Sequence, residues 1–179
     1  MVDAQDVLNF WFDEAGPKRW FKKSADFDAL CRARFLSTLE SAACGECWEW
    51  RTSPAGRCAE IIVLDQFSRN LYRNSAAAFA QDPMCLALAQ EAVASGDHLK
   101  MTDDQRYFTY MPYMHSESLL VHDQAITLFD SLGKPEPLRY EHAHRAVIKQ
   151  FGRYPGRNAA LGRISTPEEE TYLAENGGF

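Results

Sequence analysis

The sequence predicts an all-helical protein, and three observations carry that prediction. Apolar residues recur at three- and four-residue spacing along most of the chain. Helix-start and helix-stop residues punctuate that pattern throughout. The alternating apolar and polar runs that mark strands are nearly absent. The count is roughly seven to eight helices joined by short loops, packed as a bundle or as antiparallel helix pairs.

Each element has its own signal. Asp3 caps a first helix with apolar Val7, Leu8 and Trp11, and Gly16-Pro17 stops it. Ser24 caps a second, whose apolar face is Phe27, Leu30, Cys31, Phe35 and Leu39 and whose end lies near Gly45. Ser53-Pro54 places a cap before a proline at the first helical position. That third helix runs through Ile61, Ile62 and Leu64 to about Phe67. Asp82-Pro83 repeats the signal for a helix closed by Gly96. Thr102 and Gln105 form a capping box for a long stretch that Pro112 ends or kinks. The pattern resumes through Leu119, Ile126 and Phe129 and stops at Gly133. Pro137 opens a helix with Tyr140, Val147, Ile148 and Phe151 on one face and Gly152 as its stop. Ser165-Thr166-Pro167-Glu168 caps a last short helix.

A chain of 179 residues with 46% apolar residues fits one domain, residues 1–179, with a core that needs no disulfide or metal. There is no repeat of fixed period, low-complexity tract or linker. The N-terminal MVDAQDVLNFWFDE carries acids where a secretory leader would be basic, and no run reaches about 18 apolar residues. Five cysteines are an odd number, which speaks against a disulfide framework. The reading is a cytoplasmic protein with no membrane partner. A net charge of −6 argues against general nucleic-acid binding. The charge is uneven: Lys134 to Arg163 holds seven basic residues against Glu136 and Glu141, so that stretch is +5 and the remainder −11. Either the basic stretch docks on acidic residues or it holds an anion.

The informative polar residues are those that fall on apolar faces. Asp65 follows Cys58, Ile61 and Ile62 at helical spacing, and a buried carboxylate must find a cation or donors. His144 sits between Tyr140 and the Val147/Ile148/Phe151 set. His115 follows Pro112 and shares a face with Leu119 and His122, with Glu117 close by. Arg153 and Arg157 flank Pro155 in a turn after which Asn158 can cap a helix. Read structurally, these residues form a buried network in which Asp65 pairs with an arginine of the 153–157 turn. Read functionally, they line a cleft for a small anion.

Other motifs are weaker. Cys44-Gly45-Glu46-Cys47 has redox or zinc spacing, but only Cys58 is near in sequence and the βαβ context of a redox motif is missing. His122-Asp123 is similar to the central pair of the metal-dependent HD phosphohydrolases, with His98 or His115 upstream. That pattern wants a later aspartate, and none follows Asp130. His142 and His144 are too close in register to share a helical face. No metal or cofactor is therefore assigned. The aromatics Phe10-Trp11-Phe12 and Trp20-Phe21 read as core, with no basic groove beside them to suit single-stranded nucleic acid.

Three segments carry a family resemblance: Leu64-Asp65-Gln66-Phe67-Ser68-Arg69-Asn70-Leu71-Tyr72, Tyr113-Met114-His115-Ser116-Glu117, and His144-Arg145 with Phe151-Gly152-Arg153-Tyr154-Pro155-Gly156-Arg157-Asn158. With Val7 to Phe12 and Leu161 to Glu169, the chain resembles the bacterial domain-of-unknown-function family nine-two-four. The resemblance implies a tetratricopeptide-like helical fold and no activity that carries over to a residue. Ser68 stands where the family usually has proline and Gly156 where it usually has histidine, which weakens a metal site on that turn.

The favoured expectation is a binding module. Asp65, Arg69 and Asn70, His115 and Glu117, His144, and Arg153 and Arg157 would converge on a cleft for a small anionic molecule or a peptide carboxylate. One rival is a hydrolase using His115 or His144 as base, oriented by Glu117 or Asp65. Another is a scaffold whose polar network only fixes packing.

Overall fold

The computed structural model describes residues 1–178, and its regular structure is helical, with no strand among the described residues. The chain divides into two compact units. The first holds Met1–Arg73 and Ala77–Pro112; the second holds Asn74–Ala76 and the residues from Tyr113 onward. No described helix is long and apolar enough to cross a membrane.

In the first unit, α1 (Ala4–Leu8) starts at Asp3, which accepts from Asp6 N–H while Asp6 answers back in a capping box. It runs without a break into a π-helical segment, Asn9–Ala15, that Gly16 ends at φ 64°. The short α2 (Pro17–Trp20) leads to α3 (Ala25–Ala43), capped by Ser24. Ser53 caps α4 (Pro54–Ile62) through Gly56 N–H. The helix expected to stop near Phe67 does not stop there. It widens into a second π-helical segment, Val63–Phe67, and continues as α5 (Ser68–Leu71). No glycine or proline intervenes to end it. The unit is completed by α6 (Asp82–Ala94) and most of α7 (Asp103–Met114). Pro112 does not itself end α7, which runs two residues past it to Met114; the missing N–H costs the helix one bond, back to Phe108.

The core of this unit is aromatic. Phe35 stacks on Phe67 at 4.6 Å and lies 4.7 Å from Phe10, while Trp11 meets Phe67 and Phe108 edge-on at 5.6 and 5.4 Å. Trp20 donates to the Trp11 carbonyl at 2.7 Å. Phe10 and Trp11 are core, as expected, but Phe21 is 59% exposed. Leu30, expected on the inner face of α3, is 38% exposed, because Phe27, Cys31 and Phe35 already fill that stripe.

In the second unit, α8 (Leu119–Asp130) and α9 (Pro135–Phe151) are joined by a short turn and pack on each other. The latter begins two residues before Pro137, with Pro135 at its first position. Its inner face carries Glu141, Val147 and Ile148, while Tyr140 is 42% exposed. Gly152 ends it at φ 71°. After a 3-10 turn at Pro155–Arg157 come α10 (Asn158–Leu161) and α11 (Pro167–Asn176), the last closed by a Thr166/Glu169 capping box. Arg157 holds the cap position of α10, and Asn158 uses its side chain elsewhere. All five cysteines are free thiols, with Cys44 exposed and Cys47 buried.

One position in the first unit leaves no room for a side chain. A Cβ on Gly56 would overlap the Trp50 carbonyl oxygen and lie 2.9 Å from the capping Ser53 hydroxyl. Gly56→Ala should therefore lower stability by about 1–3 kcal/mol, read as a lower urea midpoint with an unchanged slope.

Candidate functional site

The residues singled out by sequence fall into two groups, one in each unit. In the first, the π-helical segment turns Asp65 inward, where it is 1% exposed. Its partner is Arg69, one turn further along, at 3.0 Å. The same guanidinium forks onto both oxygens of Asp82 at 2.8 and 3.0 Å, and Gln66 donates to the other Asp65 oxygen at 2.5 Å. Burial works against the Arg69 charge, but Asp65 and Asp82 outweigh it and raise its pKa. Asn70 donates to Asp28 at 2.7 Å, and Arg73 forks onto the same carboxylate at 2.7 and 2.8 Å, tying α5 to α3. Burial pushes the Asp28 pKa up, yet Arg73 and Asn70 bring it below its ordinary value.

The second group surrounds Tyr154. Glu117 accepts the Tyr154 N–H at 2.7 Å and a two-pronged contact from Arg163 at 2.7 and 3.0 Å. These donors outweigh burial and lower the Glu117 pKa. The Tyr154 hydroxyl donates to the Met114 carbonyl at 2.5 Å. Arg157 lies 4.6 Å over the Tyr154 ring and donates to the His115 carbonyl at 2.8 Å. Arg153 forks onto Glu169 at 2.6 and 2.7 Å and reaches the Ile164 carbonyl at 2.9 Å. Glu169 also accepts from Thr166 N–H and the Asn158 amide. Arg153 first, and these donors with it, bring the Glu169 pKa down to about 2. The arginine partner expected for Asp65 is thus supplied by its own helix, and Arg153 serves Glu169. His144 is half-buried, with Nδ1 on the Tyr140 carbonyl at 2.8 Å and its ring edge-on to Tyr154 at 5.8 Å. Burial lowers its pKa to about 3, so the ring is neutral.

Sequence reasoning passed over the most deeply buried pair. His122 and Glu141, both 0% exposed, meet at 2.6 Å through Nδ1 and Oε1. His122 Nε2 faces the Ser116 carbonyl at 2.9 Å, so it must carry a hydrogen. A second proton lies between Nδ1 and Oε1, and the pair is therefore neutral overall wherever that proton sits. Burial raises the Glu141 pKa, and its Oε2 has no hydrogen-bond partner. The signal was present in the sequence: His122 precedes Ala125 and Phe129, and Glu141 precedes Ile148, each at core spacing. Arg163 and Glu169 were visible only as charges. Asp123, the second residue of the His-Asp pair, is exposed and paired with Arg145 at 2.6 Å. Among the described residues no group of three metal-binding side chains comes together.

A family profile described as bacterial protein of unknown function (DUF924) matches residues 7–177. No curated protein matches the chain. Among solved structures, a protein of unknown function from Agrobacterium tumefaciens (ATU0120) is similar at 36% identity and a TM-score of 0.92, with 97% of each chain covered.

Two measurements follow from this geometry. His122→Ala leaves the buried Glu141 carboxyl without its hydrogen-bond partner and should cost about 1–3 kcal/mol, whereas breaking the exposed Arg145–Asp123 pair should cost at most about 1 kcal/mol; urea titrations compare them. The acid limb of stability has two parts. His144, and His98 whose pKa burial and Arg106 also lower, bind a proton more readily unfolded, so stability is lost as pH falls below 6.5. Glu169 contributes fully above 4.5, and that contribution disappears as pH falls toward about 2. His144→Gln should flatten the upper part and Glu169→Gln the lower part of a Tm-against-pH curve.

Proposed function

The chain belongs to the bacterial family of unknown function DUF924, and we propose that it is a helical binding module whose inward polar residues hold its frame. One observation carries the frame-holding role. The guanidinium forks of Arg69, Arg153 and Arg163 are each closed on a carboxylate within their own unit. A fork saturated by a bidentate carboxylate offers little to an incoming anion. Asp65, Arg69 and Asn70 then brace α5, and Glu117, Arg153 and Arg157 brace the turn around Tyr154, while His115 contributes its carbonyl.

The hydrolase reading draws less support. A histidine whose pKa is about 3 is a poor general base near neutrality. His122 is sealed from solvent and cannot touch a substrate. The α8–α9 pair and its short connection support helix-pair packing of the tetratricopeptide type. The free thiols support a reducing, cytoplasmic setting.

The test is a pair of variants, Arg153→Ala and Arg163→Ala, in urea unfolding and in a thermal-shift screen of anionic metabolites and short peptides. Both variants should unfold at lower urea, and any ligand that raises the parent Tm should raise theirs equally. A ligand whose shift vanishes in a variant with the parental urea midpoint would overturn the bracing role and return the arginines to a binding site.

A further inference from the structure

The first unit contains an open cleft of about 440 Å³ lined by Lys18, Arg19, Lys22, Ser24, Asp26, Phe27 and Leu30. That volume lies within the range of small-molecule sites, roughly 300–1,000 Å³. Its charge sets it apart. Three cations face one carboxylate, so the lining is +2 in a chain of −6, and everything outside the cleft sums to −8. Several other arginines of this unit meet carboxylates: Arg34 with Glu14, Arg51 with Glu60, Arg57 with Asp97, Arg73 with Asp28. Among the described residues no carboxylate forms an ion pair with Lys18, Arg19 or Lys22. Arg19 instead lies 5.9 Å over the ring of Phe27.

Local sequence explains how the cluster is held. Gly16 at φ 64° turns the chain out of the first helix, and α2 is one turn long, so Lys18, Arg19 and Lys22 lie on a tight reversal before α3. Ser24 accepts from Phe27 N–H at 3.3 Å, which leaves its own hydroxyl hydrogen to donate. Phe27 and the half-exposed Leu30 give the cleft an apolar wall. The adjoining Phe21 stays exposed although its ring touches those of Tyr107 and Phe108 at 6.1 and 6.2 Å.

We propose that this cleft binds a phosphate-bearing organic anion, its phosphate held by Lys18, Arg19, Lys22 and Ser24 and its apolar part against Phe27 and Leu30. A +2 lining matches a phosphate monoester or a diphosphate better than a single carboxylate, and a cluster of net positive charge raises the local anion concentration. Asp26, the one carboxylate in the lining, disfavours an anionic group set against it. The proposal rests on the binding-module reading and supplies its ligand class. That class has two sources, a soluble phosphate compound and a phospholipid headgroup.

The experiment titrates sodium pyrophosphate into isotopically labelled full-length protein and follows backbone amide shifts, and in parallel sediments the protein with phosphatidylcholine vesicles with and without phosphatidylglycerol. Pyrophosphate should move amides of residues 18–30 and bind at least about tenfold more weakly to Lys18→Gln/Lys22→Gln, with affinity falling as salt rises. Amide shifts without vesicle binding assign a soluble ligand. Sedimentation with phosphatidylglycerol that the double variant loses assigns a headgroup. Both substituted lysines are exposed, so the variant should keep the parental Tm; if it does not, Lys18→Arg/Lys22→Arg, which must retain binding, stands in. Amides of residues 18–30 that stay still, together with no vesicle binding, overturn the cleft proposal. A different ligand found by thermal shift would then leave the binding-module reading standing.

Discussion

Carboxylates deprived of water are the constraint on which most of this structure depends. Glu60, Asp65, Glu141 and Glu169 are nearly or wholly inaccessible, and a desolvated charge without a partner costs several kcal/mol, on the order of a domain's whole stability. Each has therefore recruited a cation or a proton: Arg51 for Glu60, Arg69 for Asp65, His122 for Glu141, Arg153 for Glu169. The solutions differ in kind. Three rely on an arginine that stays charged at any pH a protein meets. The fourth relies on a histidine in a sealed space, where the pair is neutral as a whole and only the position of one proton is open.

That demand for partners also shapes where the chain can meet other molecules. Arginine is well suited to hold an external carboxylate or phosphate, but a guanidinium already forked by a buried carboxylate has used its directional donors. Arg69, Arg153 and Arg163 are in that position. Lys18, Arg19 and Lys22 are in the opposite one: they sit on a one-turn reversal beside an apolar wall, and among the described residues no carboxylate forms an ion pair with them. The residues with the most conspicuous sequence context are spent on the frame, and those with the least are the ones left to face outward.

The local features were legible. Asp3, Ser24, Ser53, Thr102 and Thr166 cap helices because a side-chain oxygen two or three residues from an unsatisfied N–H needs nothing distant. Gly16, Gly96 and Gly152 lie at positive φ beyond helix ends for the same local reason. The π-helical segments were not legible, since a shift of hydrogen-bond register by one residue leaves no mark in composition. Leu30 and Tyr140 show a second kind of miss. Each lies one position from a residue that is buried, and a 100° step per residue leaves the stripe's edge to be set by what packs against it.

For the polar residues, inwardness was readable and partnership was not. Asp65 stood out because its neighbours at helical spacing are apolar, and Glu141 could have been found the same way. Which cation answers each carboxylate depends on how turns bring distant backbone together, as when Arg163 reaches across 46 positions to Glu117. The sequence by itself determined a helical chain, its caps and stops, and the set of charges that had to be reconciled with a core. Only the tertiary structure decided which charges cancel one another and which stay at the surface. Helix termini are satisfied within a few residues, whereas a buried charge is satisfied only by whatever the folded chain places beside it.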